Sequence, residues 1–355
     1  MTVAASMERT SAYQPTVDDR THYDVIVVGC GGWGLAALKV LSDIGLRVLG
    51  IERKEICNNL RHYMKNMLMH SYLSYMVLDP EDPILAREGN EYHPRVEELI
   101  QSYSDFAQKF NLPIKTHHEL VDIEGAKDDF LLSVRDREGR TSRLKAKRVV
   151  LATGSYDEPN LAGIPGELNG SVQHYFHEWE HISDQRVLFM GGGFSSADGI
   201  VALCPRNTIL WVVRKSKDAV DEMLHLQKTK WGQHDARLVN TEILTESQVV
   251  SLENNTAVVQ TPDGQKTWNY DLCYMLIGHR PAQDLYTRLL NGNLEFDEET
   301  FESCERPGLY LVGALAKKHL EHIGLTHNLC PDNEGVRYID NIRSAMMQEF
   351  NCSGQ

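Results

Sequence analysis

A short β-branched run that empties into glycines and then into an apolar-periodic helix occurs twice in this chain, and few folds accommodate that order. Tyr23-Asp-Val-Ile-Val-Val-Gly29 has the continuous apolar character of a parallel strand buried on both faces. It runs directly into Gly29-Cys-Gly31-Gly-Trp-Gly34 and then into Leu35–Leu41, whose spacing is helical. In a G-x-G-x-x-G turn between strand and helix, Gly29 makes the tight turn, Gly31 admits a pyrophosphate against the backbone, and Gly34 lets helix pack on strand. The unpaired amides and dipole of a helix start favour an anion there. A second strand, Arg47–Glu52, ends in a carboxylate eighteen positions beyond Gly34, with Arg53 beside it. That is near the roughly 20 positions expected for an acid that accepts from ribose hydroxyls.

The unit then recurs. Arg186–Met190 is another buried-strand run, followed by Gly191-Gly-Gly193-Phe-Ser195-Ser196 and a helical stretch beginning Ala197–Leu203. The next strand, Thr208–Val213, leads to Arg214 and Lys215, and Arg214 stands eighteen positions beyond Ser196. The residue at the strand end has changed sign. An acid there repels an added phosphate, whereas a guanidinium grips a 2′-phosphate with two parallel bonds, so the second unit is expected to prefer NADPH over NADH. The competing reading of Arg214 and Lys215 is a solvated pair at a strand end. Gly193-Phe-Ser195-Ser-Ala197 also stands where a serine-hydrolase elbow would, but it lacks the second glycine of G-x-S-x-G.

Between the units, Val96–Ala107 reads as an amphipathic helix, and Pro113–Ile123, Phe130–Val134 and Ser142–Lys145 as a β-meander. Arg148–Gly154 reads as a further buried strand. After the second unit come Ala257–Gln260, the turn Pro262-Asp-Gly264, Tyr270–Gly278 and Gly308–Gly313. The expected fold is α/β: two Rossmann-like dinucleotide-binding domains, each a three-layer parallel-sheet unit, the second inserted in the first, with β-meanders. The expected boundaries are a disordered tail over 1–22, a first domain of 23–167 and 285–350, and a second of 168–284. The 355 residues suit two domains. With 36 basic against 50 acidic residues the net charge is −14, which disfavours binding to a phosphate backbone. The seven Cys are scattered with no C-x-x-C, so neither a disulfide scaffold nor a zinc module is indicated. The first 22 residues lack the apolar core of a secretory signal, and no apolar run approaches a membrane span. A cytoplasmic protein acting on a small molecule is expected, without nucleic acid or membrane, as a possible homodimer.

Taken together, Gly29 to Gly34 with Glu52, Leu151-Ala-Thr153-Gly154 followed by Gly163-Ile-Pro-Gly166, Gly191 to Ser196 with Arg214, Ile277-Gly-His-Arg-Pro281 and Gly308–Gly313 resemble a known family over roughly residues 23–345. It comprises the flavoproteins with two dinucleotide sites, among them thioredoxin reductases, flavin-containing monooxygenases and bacillithiol-disulfide reductases. The resemblance implies FAD on the first unit, NADPH on the second, and a flavin ring facing the segment after Gly313. It implies cofactor contacts at Gly29, Gly31, Gly34, Glu52, Arg53, Thr153, Gly154, Gly191, Gly193, Ser195, Ser196, Arg214, Lys215 and Gly313. Leu168-Asn-Gly170-Ser-Val-Gln-His174 is similar to the F-x-G-x-x-x-H fingerprint of flavin monooxygenases, with Leu for Phe. The chain departs from its kin in three places. His70 or Ser71 stands where monooxygenases often carry an Asn, Trp33 where bacillithiol-disulfide reductases carry Cys, and Ala314 where thioredoxin reductases carry Asp.

The main expectation is therefore an FAD-dependent, NADPH-using monooxygenase acting on a nitrogen, a sulfur or a ketone, with His70 and Ser71 on the oxygen side. The alternatives are a low-molecular-weight disulfide reductase working through Cys330, and a non-catalytic flavin redox sensor. Cys30, between motif glycines, reads as a small residue tolerated at a turn. His174, His177 and His181 have the spacing of one helix face, yet their Glu178-Trp-Glu180 surroundings suggest a surface helix, and no metal is expected.

Overall fold

The computed structural model describes residues 22–231, 238–316 and 335–351. The tail read as disordered lies outside these, as does Cys330, except that His22 already begins the first strand. The first domain opens with β1 (His22–Val28), α1 (Gly32–Asp43) and β2 (Val48–Ile51). Short α2 (Leu73–Met76) and α3 (Pro83–Glu88) lead to α4 (Val96–Lys109), whose buried Val96, Leu99, Tyr103 and Phe106 recur at helical spacing. Then come β3 (Ile114–Lys115), β4 (Glu119–Glu124), β5 (Phe130–Arg135) and β6 (Thr141–Leu151). These form one sheet in the order β3-β2-β1-β6-β5-β4.

Strand β6 unites what the sequence divides into a meander strand and a separate buried strand. Its first half pairs antiparallel with β5 (Arg135↔Thr141 to Phe130↔Ala146), and its second half runs parallel to β1 (Val28↔Leu151). The polar Lys145-Ala-Lys147-Arg148 suggests a turn, but the burial pattern alternates there, as a strand's does. Arg148 is buried because its guanidinium meets Asp128 at 2.7 Å and Glu349 at 2.5 Å.

Two short strands, β7 (Glu158–Pro159) and β8 (Val172–Gln173), lead into the second domain. There β9 (Arg186–Met190), α5 (Phe194–Leu203), β10 (Thr208–Val212), α6 (Lys217–Trp231) and β11 (Thr241–Leu244) repeat the first unit's order. An antiparallel sheet of β12 (Gln248–Glu253), β13 (Thr256–Thr261) and β14 (Gly264–Asn269) follows, and β15 (Leu272–Met275) completes a parallel sheet ordered β11-β10-β9-β15-β8. The chain returns through β16 (His279–Arg280), which pairs antiparallel with β7. Helix α7 (Gln283–Leu290) then packs Tyr286, Leu289 and Leu290 on the first sheet, β17 (Leu309–Leu311) joins the edge of β6, and α8 (Gly335–Glu349) packs against α1. So the second parallel sheet lies between segments of the first, connected by the β7–β16 ladder.

Residues 174–181 are not helical, which corrects the reading of His174, His177 and His181 as one helix face. They form an extended strap that docks on first-domain residues 63–66. Lys65 N–H donates to His177 O, the Trp179 indole to Lys65 O at 2.9 Å, and Asn66 Nδ2 to Glu180 at 3.0 Å. Main-chain and side-chain bonds to residues 63–66 thus hold this run extended. Among the described residues no group of three or more His, Cys, Asp or Glu is placed to hold a metal, and no helix is long and apolar enough to cross a membrane.

At the first glycine turn a Cβ on Gly34 would stand 1.9 Å from the Gly29 carbonyl oxygen, whereas one on Gly31 would meet nothing within 4 Å. Gly31 also has an ordinary φ of −82°. Gly34→Ala is therefore expected to lower unfolding free energy by about 1–3 kcal/mol, the usual cost of overpacking. Gly31→Ala should stay within about 0.5 kcal/mol. Urea denaturation of the two variants checks the pair.

Candidate functional site

One cavity of about 1620 Å³ runs from the first glycine turn to the start of α5, larger than the roughly 300–1,000 Å³ of an ordinary small-molecule pocket. Gly29, Gly31, Trp33 and Glu52 line one end, Thr153, Gly154 and Gly313 its side, and Phe194, Ser195 and Asp198 the start of α5. Both helix starts lack a side-chain cap bond, since Gly31 and Gly193 stand at the N-cap positions. The amides there are left for an anionic ligand. A dinucleotide fits this arrangement: a turn with open space over Gly31, uncapped amides, and a cavity that reaches from that turn to the start of α5.

Glu52 caps the first turn as well as lining the cavity. Its carboxylate accepts from the N–H of Cys30 at 2.9 Å and of Lys54 at 3.0 Å. Arg53, on the same wall, is held at 2.8 Å by Asp157. The Thr153 hydroxyl bonds the Tyr286 hydroxyl. At Gly313 a Cβ would stand 2.7 Å from the Trp33 ring, so indole and backbone are in direct contact where they bound the cavity.

The other expected residues separate into three groups. His70 and Ser71 line the cavity, and the His70 ring lies on Phe194 of α5 with centroids 4.2 Å apart, so first-domain loop and second glycine turn touch. Gly34 and Ser196 are not on the cavity wall: they are seats where helix meets strand, and Ser196 is fully buried with a hydroxyl that has no hydrogen-bond partner among the described residues. Gly191, Gly193, Arg214 and Lys215 lie around the second turn outside the cavity wall. Arg214 and Lys215 are exposed, and Lys215 methylenes would lie 3.2 Å from a Cβ on Gly192. Ser195 stands exposed at the start of α5.

Several cavity residues carry no motif signature. Met64, Met67, Met69 and Met76 all line it, from a segment with neither helical nor strand period. Tyr156 and His279 stack at 3.8 Å beside the β7–β16 ladder, with Tyr175 at 4.8 Å from His279. The thiols of Cys30 and Cys57 are buried, and desolvation with the nearby Glu52 carboxylate pushes both well above the usual range. Cys304 is exposed on the cavity rim.

The model of the family described as pyridine nucleotide-disulphide oxidoreductase matches residues 26–313. The chain belongs to that family. It is accordingly a flavoprotein oxidoreductase with two Rossmann-like units that use flavin and a pyridine nucleotide. The chain is similar to bacilliredoxin reductase Bdr of Bacillus subtilis, 24% identical over 302 residues that span 82% of this chain and 89% of the relative. Among solved structures, the bacillithiol disulfide reductase Bdr of Bacillus cereus superposes with a TM-score of 0.76 at 21% identity, covering 92% of this chain and 99% of that one. A flavin-containing monooxygenase from Stenotrophomonas maltophilia gives 0.68 at 19%, covering 94% and 99%. At these identities the likeness to the solved structures is one of fold.

Burial and the nearby His174 lower the pKa of His279 to about 4. The unfolded chain, with an ordinary value near 6.5, then binds more protons below that pH, so the stabilisation from neutral His279 is complete above pH 6.5 and is lost as pH falls towards 4. Allowing for partial solvent screening, the loss should be about 1–2 kcal/mol. Unfolding curves at pH 7 and pH 4.5 for wild type and His279→Phe check it: the variant should lack this part of the acid destabilisation.

Proposed function

We propose that the protein is an FAD-dependent, NADPH-using monooxygenase that passes one oxygen atom to a nitrogen, a sulfur or a ketone of a small molecule. The observation that carries this reading is the cavity that runs from the first glycine turn to the start of α5, with the strap over residues 174–181 holding the two units together. Donor and acceptor sites face each other there without a paired thiol between them among the described residues.

On this reading the amides at the start of α1, with Gly29, Gly31, Thr153, Gly154 and Gly313, hold FAD, and Glu52 accepts from its ribose. Gly191, Gly193 and the start of α5 take the nicotinamide dinucleotide, and Arg214 and Lys215 its 2′-phosphate. When bound, the flavin accepts a hydride and activates oxygen. The protein's own part is positional. His70 and Ser71 present polar atoms at the junction of the two units, while the methionine wall and Phe194 exclude water that would release peroxide. Scattered, unpaired cysteines favour a reducing compartment, and the cytoplasm is the proposed location.

The second reading, an NADPH-dependent disulfide reductase, is favoured by the similarity to bacilliredoxin reductase over most of both chains. It would route electrons through a thiol such as Cys330, since burial keeps Cys30 and Cys57 protonated. Purified protein with NADPH, isotope-labelled oxygen gas and a candidate amine or thioether separates the two. The monooxygenase consumes NADPH and oxygen in equal amounts and places the label in the product. Oxygen-independent turnover of a disulfide, lost in Cys330→Ser, would establish the reductase instead. Bound FAD with negligible turnover on every acceptor would mark a sensor. Arg214→Ala is expected to raise KM for NADPH by about tenfold, the loss of one charge-assisted pair, with KM for NADH unchanged.

A further inference from the structure

We infer that the segment Met64–Met76 is the substrate lobe of this cavity, and that it takes an uncharged, apolar ligand carrying a soft heteroatom, of which an aryl thioether is the simplest example. Four of the chain's eleven methionines fall within these thirteen residues, and all four line the cavity. They are exposed by only 4% at Met64, 9% at Met67, 4% at Met69 and 0% at Met76, so their side chains form wall and not rim.

The backbone of the segment is spoken for. Met67 N–H donates to Met64 O at 3.1 Å, Val96 N–H to Met67 O at 2.9 Å, and Met69 N–H to Pro94 O at 2.7 Å. The Tyr103 hydroxyl donates to Met76 O at 2.9 Å. With these polar groups satisfied, the segment offers a ligand its side chains. Thioethers on three rotatable bonds are polarisable and reshape around an irregular or aromatic guest. The charges in reach are already committed. Lys65 turns away to Glu180 in the strap at 3.1 Å, and Asp198, the buried acid on the α5 side of the cavity, is engaged. A charged ligand would have to shed water against sulfur and carbon without gaining a counter-ion. His70 and Ser71, at the end of the methionine run, are placed to bond one heteroatom.

This inference rests on the oxygen-transfer reading for what becomes of the ligand, but not for which ligand binds. The test uses flavin-loaded protein without NADPH and thioanisole as probe. Hydrogen peroxide converts an accessible thioether to a sulfoxide and leaves water, so mass mapping of sulfoxides reads each methionine's access. Thioanisole is expected to slow oxidation at Met64, Met67 and Met69 by about fivefold and to leave Met347, half-buried on α8, unchanged; lysine at the same concentration should protect none of them, and Met76, already out of solvent reach, should stay unoxidised throughout. Met67→Gln should weaken thioanisole binding about fivefold while Met67→Leu stays within about twofold, and both should keep NADP⁺ affinity by calorimetry, which shows that they are folded.

The inference is overturned if thioanisole protects none of Met64, Met67 and Met69, if lysine protects them equally, if they fail to react because the flavin already covers them, or if Met67→Gln binds the probe as wild type does. Protection by thioanisole without any oxygen transfer ends the monooxygenase reading and leaves this one standing. Oxygen transfer to a charged amine, with no protection by thioanisole, does the reverse.

Discussion

The carbonyl oxygen of Gly29 occupies the space in which a side chain at position 34 would begin, and the site is built outward from that contact. Only a helix residue without a Cβ lets α1 come so close to the turn that precedes it. Gly29 has the same problem on its other side, where a Cβ would stand 2.6 Å from the Ala152 carbonyl oxygen, and its φ of +93° is one that L side chains rarely adopt. Strand end, helix start and the end of β6 therefore converge on one point. The uncapped amides of α1 and the Thr153-Gly154 turn consequently line one cavity wall. The second unit solves this packing differently. Ser196 takes the helix seat, fully buried, and a hydroxyl there without a partner among the described residues costs about 1–3 kcal/mol, which Gly34 avoids.

The mutual placement of the two units depends on interactions no motif announces. The β7–β16 ladder is only two residues long on each side, too little to fix an orientation. The strap over 174–181 supplies the rest through main-chain and indole bonds to residues 63–66, with the Lys65–Glu180 ion pair adding little at its exposed position. Apolar packing then continues without a break: a single cluster runs from Val25 and Leu38 through Met64 and Phe176 to Phe189 and Trp211. The domains share a core, which is why the first glycine turn and the start of α5 open onto the same cavity.

The parts of the molecule dictated by local pattern were legible in the sequence. Buried parallel strands, glycine turns and the helices after them declare themselves by composition over a few residues, and the α/β class with its duplicated unit follows from them. Strand β6 was misread because Lys145 and Lys147 resemble a turn, when they are the outward positions of an alternating strand whose buried Arg148 is neutralised by Asp128 and Glu349, one close in sequence and the other 201 positions away. The histidine run was misread for the same reason: spacing suggests a helix, and only docking on the first domain makes the segment extended. Of the candidate ligands, Gly29, Gly31, Glu52, Arg53, Thr153, Gly154, Ser195 and Gly313 reach the cavity, each at a turn or beside a strand end, and His70 and Ser71, which the family resemblance points to, reach it as well. The methionine wall was not singled out, since four unbranched side chains in an aperiodic segment carry no pattern beyond their density.

The state of the thiols bears on how electrons could leave such a site. Cys30 and Cys57 are the cysteines nearest the first turn, and Cys57 adopts a φ of +58° while its N–H donates to Cys30 O at 3.1 Å. A thiolate at either place would be desolvated and would face the Glu52 carboxylate, which holds the Cys30 amide in the turn. Ionising these thiols and keeping the turn closed are thus opposed demands. Any thiol relay in this chain would have to come from elsewhere in it, whereas transfer to a dissolved acceptor asks nothing of the cradle beyond what already closes it.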